Sequence, residues 1–139
     1  MNKAKYFITL SISILIGCNV TTNKTNIDNP LLGSWSYTYP KNGCIETYKF
    51  LPSGIRLSKS NLEKVKAKYS IQSISKDKNL YLLTDTVLED NALQDCTSST
   101  MDMTNDKVQL YLIIKENPQQ FTFCTDISLK TCIGPFIKD

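Results

Sequence analysis

Turn signals punctuate this chain every 8–14 residues from Leu31 onward, and the segments between them have the length of strands. Pro40-Lys41-Asn42-Gly43 is a signal with a mechanism: proline fixes φ, and Asn-Gly accepts the positive φ of a tight turn. Pro52-Ser53-Gly54, Asp77-Lys78-Asn79, Asn91, Asn105-Asp106 and Asn117-Pro118 supply the others. The strands expected between them cover 32–39, 44–51, 55–59, 63–74, 80–88, 108–115, 120–125 and 131–137. A ninth, polar and poorly patterned, is expected over 95–103. In 63–74, Lys64, Lys66 and Lys68 alternate with Val65, Ala67 and Tyr69, and Ile71 continues the apolar series. Period-two geometry then puts the lysines in water and the apolar residues on a core. Good helix formers over 62–67 make a helix the competitor, and the β-type continuation beyond them favours the strand. Val108, Leu110, Leu112 and Ile114 share one face of their segment, with Tyr111 and Ile113 on the other. Consecutive hairpins close most simply into a barrel, because closure removes the edges that invite aggregation. The expected fold is all-β: an up-and-down antiparallel meander of eight or nine strands closing into a small barrel.

Ahead of that domain, Lys3 and Lys5 precede an apolar run from Tyr6 to Ile16, broken only by Thr9, Ser11 and Ser13. A spanning helix needs roughly 20 residues, and this shorter run fits a signal-peptide core. Leu15-Ile16-Gly17-Cys18 resembles, residue by residue, the lipobox of bacterial lipoprotein signal peptides. The resemblance implies cleavage after Gly17, a diacylglycerol on the Cys18 sulfur and a palmitate-type acyl group on its new amine. Two or three such chains hold a protein firmly to a membrane. In that family the residue after the cysteine helps set the address, and Asn19 in place of Asp points to the outer membrane, facing the periplasm or the surface. An uncleaved anchor and a plain secretory signal are the alternatives. The chain then divides into a signal peptide, 1–17, a lipidated Cys18 with a polar tether, 18–30, and one domain, 31–139.

Removing the signal leaves 122 of the 139 residues and takes Lys3 and Lys5 out of the net charge of +3, so the mature chain is near +1. A nucleic-acid binder would carry a strong basic excess. Histidine is absent, so no Ser-His-Asp triad, Cys-His pair or His-ligated metal site can form from this chain alone. The adjacent acids Glu89 and Asp90 lack the cleft-spanning separation of glycosidase pairs, and no EF-hand spacing appears. No catalytic residue, cofactor or metal is assigned, and a non-enzyme is expected.

With Cys18 lipidated, Cys44, Cys96, Cys124 and Cys132 remain, an even number in an oxidising compartment, which reads as two disulfides. Their intervals of 52, 28 and 8 match no usual zinc spacing. If Cys124 and Cys132 face each other across one hairpin, Cys44–Cys96 becomes the long-range bond. The rival pattern, Cys44–Cys132 with Cys96–Cys124, would staple the first strands to the last.

Gly33-Ser34-Trp35, followed by Asn42-Gly43, Glu46-Thr47-Tyr48-x-Phe50 and Pro52-x-Gly54, resembles the lipocalin and lipocalin-like group over residues 31–74. The resemblance implies a first strand opening at Gly33, with Trp35 packed beneath one end of the barrel. The family's C-terminal arginine over that Trp has Lys138 in its place. Thr84-Asp85-Thr86 departs from the family's Thr-Asp-Tyr, and the domain is short for a deep calyx. Eight strands enclose an interior that side chains just fill, or that holds one small ligand.

Charge segregates along the chain. Residues 55–79 carry Arg56 and six lysines against Glu63 and Asp77, a net of +5, whereas 80–106 carry Asp85, Glu89, Asp90, Asp95, Asp102 and Asp106, a net of −6. These are either faces for charged partners or ordinary solvated strands, with alternating lysines protecting an edge. Two functions are therefore expected to compete. One is a membrane-anchored module binding a small apolar or amphipathic ligand. The other is an envelope protein-interaction module, an enzyme inhibitor or assembly factor, and small lysozyme-inhibitor lipoproteins are similar in size and β character. A monomer without nucleic-acid partners is expected in both.

Overall fold

A computed structural model describes residues 29–139; the signal sequence, Cys18 and the segment up to residue 28 lie outside the described residues. Eight antiparallel strands follow one another: β1 (Gly33–Thr38), β2 (Ile45–Phe50), β3 (Ile55–Ser60), β4 (Glu63–Ser75), β5 (Leu80–Asp90), β6 (Lys107–Glu116), β7 (Gln119–Cys124) and β8 (Cys132–Lys138). Each pairs with the next, and β8 returns to β1, so the meander closes into a barrel. No helix forms among the described residues. The competition over 62–67 goes to the strand because period two sorts its residues cleanly. Val65, Ala67 and Tyr69 are buried at 7 % exposure or less, whereas a helix would spread the lysines around its core face.

Residues 95–103 form no strand, which corrects the ninth element expected there. The Asp95 carboxylate accepts from the Thr97 and Ser99 amides, Asp102 from the Thr104 amide and Asp90 from the Met103 amide. These short acidic side chains take the backbone donors that a ladder would need. The result is a loop, 91–106, laid against the β3–β4 turn, where the Leu62 and Glu63 amides donate to the Gln94 carbonyl.

The barrel has two unlike ends. Asn29 and Pro30 enter at what we call the proximal end, where Asn29 donates to the Tyr69 hydroxyl at 2.8 Å. Gly33 there has φ +117°, a conformation that side-chain-bearing residues rarely adopt, and it swings the chain from Leu31 into β1. Leu31 and Trp35 plug this end at 0 % and 1 % exposure, joined by a 2.7 Å bond from the indole Nε1–H to the Leu31 carbonyl. Lys138 Nζ lies 5.3 Å from the centre of the Trp35 ring. The core above the plug is aromatic. Phe121 meets Trp35 edge-on at 4.9 Å and stacks on Phe136 at 4.8 Å, and Phe123 and Tyr48 pack on Phe136 from above. Gly134 makes that stack possible: a Cβ there would stand 3.1 Å from the Phe121 carbonyl oxygen.

Candidate functional site

Alternation sends every second residue of eight strands into one lumen, and an aromatic and branched cluster fills its middle above Trp35, below which a hollow of about 680 Å³ opens at the proximal mouth. Higher up, two charges enter. Arg56 on β3 and Asp85 on β5 are each 5 % exposed and paired, Nε to Oδ2, at 2.6 Å. Arg56 also donates to Ser58 Oγ at 2.7 Å and lies 5.0 Å above the Tyr48 ring. Burial pushes the Asp85 carboxyl up, against the pull of Arg56, and Asp85 Oδ1 has no hydrogen-bond partner among the described residues. Both basic and acidic stretches of the sequence thus lose a member to the interior: Arg56 and Asp85 belong to no surface.

The distal mouth is polar where β1 and β3 end and β2 and β4 begin. Glu46 accepts from the Tyr48 and Tyr39 hydroxyls at 2.6 and 2.8 Å. Burial first, then Glu46, raises both phenols well above their ordinary range, so they remain donors at neutral pH. Leu110, Phe123, Ile133 and Phe136 join Tyr39 and Glu46 around a cavity of about 160 Å³.

Glu63, at the start of β4, is pushed up to about 7 by partial burial and then by Asp90, Asp95 and Glu46, with Arg56 opposing. Its folded value exceeds the ordinary 4.5, so the proton it holds stabilises the fold fully below 4.5, and that contribution disappears as pH rises through 7. Glu63→Gln, a neutral mimic, is expected to raise the thermal midpoint at about pH 8 and to leave it unchanged at about pH 4. Equal shifts at both pH values would contradict this origin.

Two disulfides clamp the distal end. Cys124 and Cys132 are direct partners in the β7–β8 ladder, with Cα atoms 4.1 Å apart. Cys44 is bonded to Cys96, with Cα atoms 5.6 Å apart, and ties loop 91–106 to the start of β2. Of the two patterns considered from sequence, this is the one with the long-range Cys44–Cys96 bond. Gly33 and Trp35 lie at the opposite end. The residues singled out from sequence therefore fall into two structural groups rather than one site. From sequence, Glu46 stands only in the Glu46-Thr47-Tyr48-x-Phe50 resemblance and Arg56, Glu63 and Asp85 only in the charge count, so their places in the mouth and lumen come from the structure.

On the outer wall, Lys49, Lys59, Lys64 and Lys66 line a groove of about 570 Å³ together with Leu57, Glu89 and Asp139. Fold and lumen together define a small closed β-barrel with a packed interior and a disulfide-clamped distal end. The chain matches no family model, no curated protein and no solved structure.

Proposed function

We propose that the chain is a lipid-anchored, non-catalytic binding module of the bacterial cell envelope, lipocalin-like in kinship, that recognises its partner on the outside of the barrel. The packed lumen carries the last point. Trp35, Phe50, Phe121 and Phe136 are 1 % exposed or less, and the distal cavity of about 160 Å³ falls below the roughly 300–1,000 Å³ of ordinary small-molecule sites. The hollow of about 680 Å³ at the proximal mouth, where Lys76, Lys115, Glu116 and Gln119 stand around Trp35, is mostly polar and stops at the tryptophan plug. The lipobox supports the anchor at Cys18, and Asn19 in place of Asp supports the outer-membrane address. Trp35 lying beneath Lys138 supports the kinship.

Native mass spectrometry of the full chain, extracted in a non-ionic detergent, tests this reading. The expected mass is that of the polypeptide from Cys18 plus its acyl groups, with no further stoichiometric molecule, and labelled palmitate should be lost in Cys18→Ser. A small molecule retained one-to-one would overturn recognition on the outer wall. It would favour the second reading, an apolar ligand in the distal cavity, for which the Leu110, Phe123, Ile133 and Phe136 lining speaks.

A further inference from the structure

Leu57 stands 40 % exposed in the middle of the outer wall, with lysines around it. Across the ladders it faces Lys49 on β2 and Lys66 on β4, and two residues further along β3, Lys59 faces Lys64. Lys66 is paired with Glu89 at 2.7 Å. Lys49, Lys59 and Lys64 have no carboxylate within 4.0 Å among the described residues.

Like charges placed directly opposite each other across a ladder destabilise a sheet. Lysines on a strand commonly protect an open edge, but β2, β3 and β4 are each paired on both sides within a closed barrel. Edge protection therefore explains none of these lysines. The wall carries a concave groove in which four lysines stand against Glu89 and Asp139, and three of those lysines have no ion-pair partner among the described residues, an excess of positive charge that the fold itself does not require.

We infer that this groove binds an acidic segment of a partner protein, with an apolar side chain seated on Leu57 and flanking carboxylates reaching the lysines. The inference rests on the outer-wall reading above and gives it a partner class. The lining selects that class. It contains no arginine, and so lacks the planar fork that grips phosphate in two places. Its one aromatic residue, Tyr48, turns its ring into the lumen against Phe123 and Phe136, so no ring face is offered to a base or a sugar. An exposed leucine among ammonium groups suits a polypeptide instead. Alternate side chains of an extended peptide stand about 6.8 Å apart, within the span of lysine stems on strands about 4.8 Å apart.

Fluorescence anisotropy tests the assignment, using the full chain in non-ionic detergent and a fluorescein-labelled peptide of repeated Glu-Leu-Glu triplets. Saturable binding is expected at low salt, fading at about 0.5 M salt as the charges are screened. The Lys59→Gln/Lys64→Gln variant should bind about tenfold more weakly. Its unfolding midpoint should be unchanged or higher, since it loses an opposed like-charge pair, so weaker binding cannot be put down to misfolding. Peptide binding that the double variant leaves intact overturns the inference. So does absence of peptide binding alongside binding of polygalacturonate or a short-chain anionic phospholipid. Dimers that sediment at low salt and vanish in the double variant would reassign the groove to a second copy. If the peptide fails while native mass spectrometry still finds an empty lumen, this inference fails alone. A lumenal ligand removes the outer-wall reading itself.

Discussion

Arg56→Met is expected to lower stability by about 3–5 kcal/mol at pH 7, read as a shift of the urea midpoint. The side chain it removes is the only cation paired with Asp85 among the described residues, and Asp85 cannot turn to water at 5 % exposure. The pair's net contribution to stability is modest. The loss comes from leaving a carboxylate uncompensated in the lumen, beside an Oδ1 that already lacks a partner. Two accompanying results separate this cause from simple loss of packing. Burial has already raised the Asp85 carboxyl, and removing Arg56 raises it further. A carboxyl with a raised folded value contributes stability at low pH that is lost as pH rises through that value, so the deficit of the variant should narrow as pH falls toward about 4. In addition, Arg56→Met/Asp85→Leu, which removes both charges and keeps the volume, should recover most of the loss. A single variant costing less than about 1 kcal/mol, or a double variant no better than the single, would show that the lumen is wetter than its side chains imply.

Replacing the long-range disulfide has an effect of similar size by a different route. Cys44–Cys96 closes a span of 52 residues and Cys124–Cys132 a span of 8. In the loop-entropy account these constrain the unfolded chain by about 4 and about 2.5 kcal/mol. Cys44→Ser/Cys96→Ser should therefore lower the denaturant midpoint further than Cys124→Ser/Cys132→Ser. The long bond also holds loop 91–106, whose other ties include the Asn42 amide to the Cys96 carbonyl and the Cys96 amide to Ser60 Oγ. Amide hydrogen exchange should accelerate over 91–106 in the first variant and stay near wild type at the proximal plug. Uniform acceleration around the whole barrel would refute a local clamp.

The strands were legible because each repeats a physical rule. Turn residues set their ends, and alternation such as Val65, Ala67, Tyr69 set their faces. The loop at 91–106 was not, because a polar strand and a chain of aspartate-stabilised turns have similar compositions, and only the acceptors of the backbone amides tell them apart. The ion pair was half legible. Leu83 and Val87 flank Asp85 at two residues on either side, which places Asp85 in the inward phase of β5. Counting it with Glu89 and Asp90 as surface charge set aside the parity that governed every apolar residue around it. Arg56 carries no such flanks, and its interior position depends on a partner 29 residues away. The lysine groove is a third case. Its members are visible in the chain, but their cost becomes plain only when the ladder register sets Lys59 against Lys64.

The seam between β1 and β8 has a topological consequence. Trp35 pairs with Lys138, and the Asp139 amide donates to the Ser34 carbonyl at 3.0 Å, so the last described residue lies beside the chain that enters from Asn29. Polypeptide joined at either end is delivered on the same side of the barrel. A reporter fused after Asp139 would crowd the upstream segment and leave the disulfide-clamped face clear. A circular permutant linking the two ends and opening at 91–106 would reverse that geometry, turning the loop's two halves into the new leaders and presenting the tryptophan plug outward.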